Sequence, residues 1–526
     1  MSVSESVSGR SRHQIIGLFL GPAIALIMMI AGVPDSLVDF MGSLDSSDLA
    51  AVEKSRLANA FANDTWDPQA AADIAWRTAA IGVLMAIWWA TEAVPIAVTA
   101  LLPLVVFPMF SVANIQDTSA PYANKVIYLF LGGFIVAFAI QRWNLHRRIA
   151  LNVLQIAGGN GKSLVGGFML ASALISMWVM NTSTTMMLLP IAVSIITVIH
   201  KTVTTLDQNQ REHFQYSLLL GVAYGATIGG VATLVGTAPN AILAGFMSDN
   251  YGTQIDFSRW MIVGLPLSAV MLPLAWLALT RWVFHVDFKT SSEARAELRD
   301  MRDEMGSMSV PEKRVGIVFL SMAMLWITRP LLARLTGIDA LDDSGADSSI
   351  AMAGAIALFL IPSGDKQDPL LLRWRYAERL PWSVIILFGG GLTLASAVYN
   401  TGLALWIGTS LEAVGTLPVA VVVVVAVTMI IFLTELTSNI ATTTTFLPVV
   451  ASIAVGAGFD PIVLTVPITL AASCAFMLPV ATPPNAIVFG SGLLTIPKMV
   501  RAGLVLNLIG IIFVSIVAVY LAPRIF

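Results

Sequence analysis

The chain has 526 residues, 57% of them hydrophobic and 12% charged, with a formal net charge of −3. A soluble protein carries roughly 25% charged residues, so this is a polytopic membrane chain, and an acidic balance without a basic tract interleaved with aromatics excludes a nucleic-acid surface. The single cysteine, Cys474, excludes an intrachain disulfide.

The first apolar run, 15–32, follows Arg10, Arg12 and His13. No small-residue cleavage site comes after it, so it reads as a retained helix rather than a signal peptide. The 33–75 loop is acidic, with Asp35, Asp39, Asp45, Asp48, Glu53, Asp64, Asp67 and Asp73. Runs long enough to cross a bilayer, about 20 residues each, follow at 78–93 with 95–110, 126–141, 216–247, 260–284, 315–333, 349–362, 383–400, 461–492 and 502–522. That makes about eleven spans. Two further apolar stretches, 163–200 and 418–456, are interrupted at their middles by polar clusters. A span broken there reads as two half-helices meeting at a tip, a re-entrant hairpin.

Basic residues orient the spans. Arg142, Arg147 and Arg148 follow one span; Lys289, Arg295, Arg299, Arg302, Lys313 and Arg314 fill one loop; Lys366, Arg373, Arg375 and Arg379 fill another; Lys498 and Arg501 precede the last span. A cytoplasmic N-terminus and an external C-terminus place all of them inside a cell (plasma or inner) membrane and the acidic loop outside. The two hairpins then enter from opposite sides.

Opposite insertion suggests inverted halves, and three matched elements occur in the same order. FLGGFIVAFAIQRWNLHRRIAL (130–151) pairs with FGGGLTLASAVYNTGLALWIG (388–408), MNTSTTMMLLPIA (180–192) with SNIATTTTFLPVV (438–450), and GTAPNAI (236–242) with ATPPNAI (481–487). The expected organisation is an N-terminal helix and loop over 1–75 and a first repeat over 76–284. A cytoplasmic linker over 285–314 leads to a second repeat over 315–526. Each repeat holds one hairpin and one broken helix, 216–247 or 461–492. The fold class is all-α, an inverted-repeat transporter with broken helices at the midplane. The charged 290–313 part of the linker looks like a cytoplasmic amphipathic segment, with a solvated charged helix as the preferred reading.

Lipid offers a polar cluster no partner, so the tips must face protein, water, an ion or a ligand. A half-helix starting at a tip offers free N–H groups to an anion. One ending there offers carbonyls to a hard cation such as Na⁺. Asn181 and Asn439 sit at equivalent breaks, and an asparagine has both a donor and an acceptor. The hydroxyls of Thr184, Thr185 and Thr442 to Thr445 also suit plain helix–helix adhesion. In the two Pro-Asn loops, proline leaves an upstream carbonyl unpaired, which a cation can fill; a simple kink would account for either loop alone, but their equivalent places in the two halves favour the cation role. Glu92 reads as an interfacial residue at a span end. Glu435 fits either a proton or cation role or local hydrogen bonding. No Walker A, HExxH or GxSxG sequence is present, and His13, His146, His200, His213 and His285 are scattered, so neither ATP-driven transport nor hydrolytic enzyme chemistry is indicated.

WWATEAVPIAVTALLP (88–103), FLGGFIVAFAIQRWNLHRRIAL, MNTSTTMMLLP, YGATIGGVATLVGTAPN (224–240), TSNIATTTTFLP and CAFMLPVATPPNAIVFGSG (474–492) together resemble the divalent anion:sodium symporter family of dicarboxylate and citrate transporters. The resemblance covers nearly all of the chain from Trp88. It implies a homodimer whose transport domains move like elevators against a scaffold. It implies substrate contacts at Asn181, Thr182, Ser438 and Asn439, with Thr237, Thr482 and Pro483 nearby. A first sodium site would use Ser176, Met180, Asn181 and Gly236, and a second Thr434, Thr437, Asn439 and Ala481, largely through backbone oxygens. The family's paired Ser-Asn-Thr tips here read Met180-Asn181-Thr182 and Ser438-Asn439-Ile440. Met180 removes a hydroxyl but leaves a carbonyl, and Ala238 stands where the other half has Pro483.

The expected activity is sodium-coupled import of a C4-dicarboxylate (succinate, malate or fumarate), with two or more Na⁺ and no organic cofactor. A dianion at the midplane without a nearby Lys or Arg is costly to desolvate. Co-bound Na⁺ offsets its charge and couples transport to about 2.3 kcal/mol per net charge per 100 mV. The alternatives are a sodium-independent exchanger, a carrier of citrate, sulfate or an organosulfonate, and an anion channel.

Overall fold

Apolar stretches in lipid must satisfy their backbone polar groups internally, and this chain does so with helices almost throughout. The computed structural model describes residues 11–44, 61–62, 65–157, 159–343, 345–410 and 416–526. Its strands are a two-residue antiparallel pair, Phe61–Ala62 with Thr65–Trp66.

Among the described residues, nine helices are long and apolar enough to cross a membrane by length and composition. Seven match single expected spans; the other two, Asn181–Thr202 and Asn439–Gly456, are the return arms of the two expected hairpins. The remaining expected spans are short or broken. Ile96–Met109 and Ala346–Leu360 are single helices of 14 and 15 residues. The 216–247 stretch divides between Gln208–Val231 and Ala238–Tyr251, and 461–492 between Ile462–Ala472 and Pro483–Phe489. Hydropathy registers an apolar run but not where a helix stops, which accounts for the difference from about eleven.

Two compact units result, and each takes segments from both the 76–284 and the 315–526 stretches. One gathers Met1–Ala123, Ser383–Val414 and Thr444–Gly458; the other gathers Asn124–Trp382, Gly415–Thr443 and Phe459–Phe526.

In the first unit, Arg12–Ala31 lies along Pro68–Thr91. It buries Gly17, Gly21 and Ala25 and exposes Ile16, Phe19, Leu26, Ile27 and Ile30. Small residues let helix backbones approach where lipid supplies no hydrophobic drive; the Trp76 indole then reaches the Met28 carbonyl at 2.8 Å. Asp67 caps Pro68–Thr91 by accepting from the N–H groups of Gln69 and Ala70. Of the expected N-terminal segment, residues 1–10, 45–60 and 63–64 lie outside the described residues.

The second unit is built around Gln208–Val231, in which every residue from Tyr216 onward is buried. A helix that is covered on all sides belongs at a protein centre. It packs on both arms of the first hairpin, Gly161–Ser176 and Asn181–Thr202. The first contact is close: a Cβ on Gly229 would lie 2.3 Å from the Ala173 carbonyl oxygen. The Asn181–Thr202 helix also packs on Pro483–Phe489, and the Tyr224 hydroxyl donates to the Phe476 carbonyl at 2.7 Å. Segments from both repeats therefore meet in one unit.

The linker departs from the expected solvated helix. Ser292–Asp303 buries Ala294 and Leu298, and the Ser194 hydroxyl donates to Glu297 at 2.7 Å. Nearby, Thr202 bonds Ser291 at 2.7 Å. Arg148, itself buried, pairs with Glu312 at 2.9 Å and donates to the Gly306 carbonyl at 2.9 Å. Ala294 and Leu298, spaced four apart, give the helix an apolar face to dock, as the amphipathic reading of the linker expects.

Candidate functional site

The first hairpin turns between Ser176 and Asn181, the second between Thr434 and Asn439. In both, the outgoing helix ends five residues before an asparagine that opens the return helix. The Ser176 hydroxyl donates to Asn181 Oδ1 at 2.5 Å. The Thr434 hydroxyl lies 3.0 Å from Asn439 Oδ1 and 2.9 Å from the Ala472 carbonyl, and can donate to either. One turn on, Thr185 and Thr443 each bond back to the asparagine's own carbonyl at 2.9 Å, an ordinary helical use of threonine. Thr437 bonds Thr442 at 2.6 Å across the second tip. No side chain caps the Asn181 helix at Met180, so its first N–H groups stay available to an anion.

Each tip meets the broken helix of its own half. In the first half, the contact runs through glycine. A Cβ on Gly230 would lie 2.6 Å from Asn181 Oδ1, and a Cβ on Gly236 would lie 2.4 Å from the Gly230 carbonyl oxygen. Any larger side chain at these positions would push the amide away from the break. The Thr233 hydroxyl adds a bond to the Met177 carbonyl at 2.5 Å. In the second half, Thr434 joins the tip to Ala472, the last residue before the break.

Of the residues expected at the site, the structure thus brings Ser176, Asn181 and Gly236 together around Gly230, and Thr434 and Asn439 together beside Ala472. Met180, Thr182, Thr437 and Ser438 are half-buried at the tips. Thr237 and Thr482 precede the helices that restart after the breaks, and Thr482 Oγ1 accepts from the Asn485 N–H at 3.4 Å. Ala481 is buried, and its N–H donates to the Leu478 carbonyl at 3.3 Å. Pro483 is exposed.

These groups are neutral oxygens and amides. Carbonyl, hydroxyl and amide oxygens suit a hard monovalent cation, and free N–H groups suit a carboxylate. Among the described residues no group of three or more His, Cys, Asp or Glu side chains could hold a metal ion.

Residues 67–523 match the family model described as the sodium:sulfate symporter transmembrane region. The chain belongs to this family. Among its relatives, it is 38% identical over 522 residues to the sodium-dependent dicarboxylate transporter SdcS of Staphylococcus saprophyticus, covering 97% of this chain and 92% of that protein. It is 41% identical over 456 residues to SdcS of Staphylococcus aureus, covering 86% and 87%. Its fold is similar to that of the YdaH transporter of Alcanivorax borkumensis, with a TM-score of 0.54 at 12% identity, covering 84% of this chain and 98% of that one. The family and its named members are transporters, not enzymes.

In this sodium:sulfate symporter family member Glu435 is a buried carboxylate of the second half, and its contacts are those of the local hydrogen-bonding reading. The side chain is 3% exposed and accepts from the backbone N–H groups of Phe476, Met477 and Leu478 at 2.7, 2.9 and 3.0 Å, and from Asn507 Nδ2 at 2.8 Å. It clamps the break between Ile462–Ala472 and Pro483–Phe489, the local hydrogen-bonding role. Glu92 ends Pro68–Thr91 in a left-handed conformation, φ 47° and ψ 39°, as its cap.

Two residues escaped the sequence reading as individuals, Asn240 and Asn485. Both are fully buried in the breaks of this family member. The signal is the repeated Pro-Asn dipeptide, in which the proline accounts for the break by itself.

Proposed function

We propose that this chain is a sodium-coupled importer of C4-dicarboxylates such as succinate, malate and fumarate. The observation that carries the reading is the paired hairpin tip. Twice, an asparagine amide held by a hydroxyl five residues upstream stands against a broken helix. Neither cluster contains a Lys or Arg. A dianion in such a place needs its charge offset by co-bound cations, and sodium coupling also accords with the names of the relatives. In this reading Asn181, Thr182, Ser438 and Asn439 contact the substrate carboxylates, with Thr237, Thr482 and Pro483 alongside. Ser176, Met180, Asn181 and Gly236 hold one Na⁺, and Thr434, Thr437, Asn439 and Ala481 another.

The working assembly in this proposal is a homodimer in the cell membrane, with a cytoplasmic N-terminus, an external C-terminus and elevator-like movement. The distribution of basic loops supports the orientation. The two matched sequence repeats, with the boundaries expected above, support inverted halves.

The test is succinate uptake into proteoliposomes under an inward Na⁺ gradient. Uptake that follows the gradient is expected; equal uptake with K⁺ or choline in place of Na⁺ overturns the symport. A sodium-independent exchanger is the second reading, favoured by Met180 in place of the family's serine. Counterflow driven by internal dicarboxylate alone would establish it. Competition by citrate, sulfate or an organosulfonate at lower concentration than succinate would reassign the substrate.

A further inference from the structure

We infer that Asn240 and Asn485 are positioning residues for the two cation sites, each holding open the carbonyls of its own helix break; the inference rests on the sodium coupling proposed above. Both side chains are fully buried. Asn240 Nδ2 donates to the Thr233 carbonyl at 2.9 Å, with the carbonyls of Gly230 and Val231 at 3.5 Å each. Asn485 Nδ2 donates to the Leu478 carbonyl at 3.1 Å and the Ala475 carbonyl at 3.3 Å. The intervals agree: in each half the amide reaches back seven and ten residues.

The same carbonyls serve the expected cation ligands. Thr233 O also accepts from the Gly236 N–H at 3.4 Å, and Leu478 O from the Ala481 N–H at 3.3 Å. Gly230 is the residue against which Asn181 rests. Leu478 is also held through its N–H by Glu435. Carbonyls brought together to receive a cation repel one another before it arrives. A neutral amide donor among them holds the arrangement without adding a competing charge. The side chain's orientation follows, because a flipped amide would set Oδ1 against two carbonyls.

That orientation leaves Asn240 Oδ1 and Asn485 Oδ1 buried with no protein partner. Buried acceptors are rarely left so. Their recurrence at equivalent places in two halves marks a feature of the site rather than an accident of packing, and reserves an acceptor at each break for a non-protein partner.

The test is Na⁺ dependence of succinate uptake in Asn240→Ala and Asn485→Ala, with folded protein quantified in parallel. The expected result is a rise of about tenfold in the Na⁺ half-saturation, as for loss of an outer-shell partner, with a much smaller change in succinate KM at saturating Na⁺. In double-mutant cycles, Asn240→Ala is non-additive with Ser176→Ala and additive with Thr434→Ala, and Asn485→Ala shows the reverse. If an alanine variant does not fold, Asn→Ser at that position keeps one donor, and the Na⁺-induced rise in Tm, compared with wild type, reads binding without transport. Wild-type uptake without Na⁺ dependence overturns the coupling and this role with it. Na⁺-dependent wild type with unchanged half-saturation in folded variants, or variants that couple equally to both tips, overturns this role alone.

Discussion

Ser176 donates its hydroxyl to Asn181 Oδ1 at 2.5 Å, and Thr434 stands in the same relation to Asn439 at 3.0 Å. A hydroxyl that occupies one lone pair of the amide oxygen also fixes where the other points. Ser176→Ala and Thr434→Ala are each expected to raise the Na⁺ half-saturation of uptake by roughly tenfold and to leave the protein folded. Asn181→Ala and Asn439→Ala are expected to abolish uptake. Proteoliposome assays over a Na⁺ titration measure both, and an unchanged half-saturation in Ser176→Ala would remove the hydroxyl from the site.

Glu435 holds four N–H donors that belong to the second break and to Ile496–Ile516. Glu435→Ala leaves those donors buried and unpaired, at about 1–3 kcal/mol for each that finds no water. The expected outcome is loss of folded protein or a large fall in Tm in detergent. Glu435→Gln keeps the shape and part of the acceptor capacity, so its Tm should lie between the two. Equal melting of all three proteins would show that the clamp contributes nothing.

Arg148 and Glu312 form a buried pair, with side chains 10% and 5% exposed. Breaking such a pair from one side costs about 3–5 kcal/mol. Arg148→Ala and Glu312→Ala should therefore each lower thermal stability markedly, and the double variant should lose less than the sum. Strict additivity in that cycle would mean the two side chains act independently.

Burial pushes His146 down to about 4. The imidazole stays neutral in the folded chain, whereas an unfolded chain protonates it near 6.5. The stability associated with the neutral form is complete above about pH 6.5 and is lost as pH falls toward 4. Wild type should therefore lose Tm between pH 7 and pH 5 by more than His146→Asn does. Parallel curves for the two proteins would dissociate His146 from acid lability.

Much of the site was legible in the sequence because a polar cluster in an apolar chain has few places to go. The tip asparagines, the two hairpins and both helix breaks follow from that constraint and from the spacing that repeats between the halves. Glu435 was visible but not interpretable: its partners lie 41 to 72 residues away. Asn240 and Asn485 follow prolines that account for the breaks by themselves, so nothing local singles the asparagines out. The linker's amphipathic character was legible, but Ala294 and Leu298 are an apolar minority in a charged segment, which favours a solvated helix.

By itself, then, the sequence determined the lipid environment, the helical class and the repeated polar tips, since each follows from a local rule about which groups lipid tolerates. Which carbonyl receives which amide, and which chain segments share a compact unit, were decided only by tertiary structure. The reason is physical: a hydrogen-bond partner is chosen by proximity in space, and proximity between Asn181 and Gly230, or between Glu435 and Phe476, arises only once the helices between them have packed.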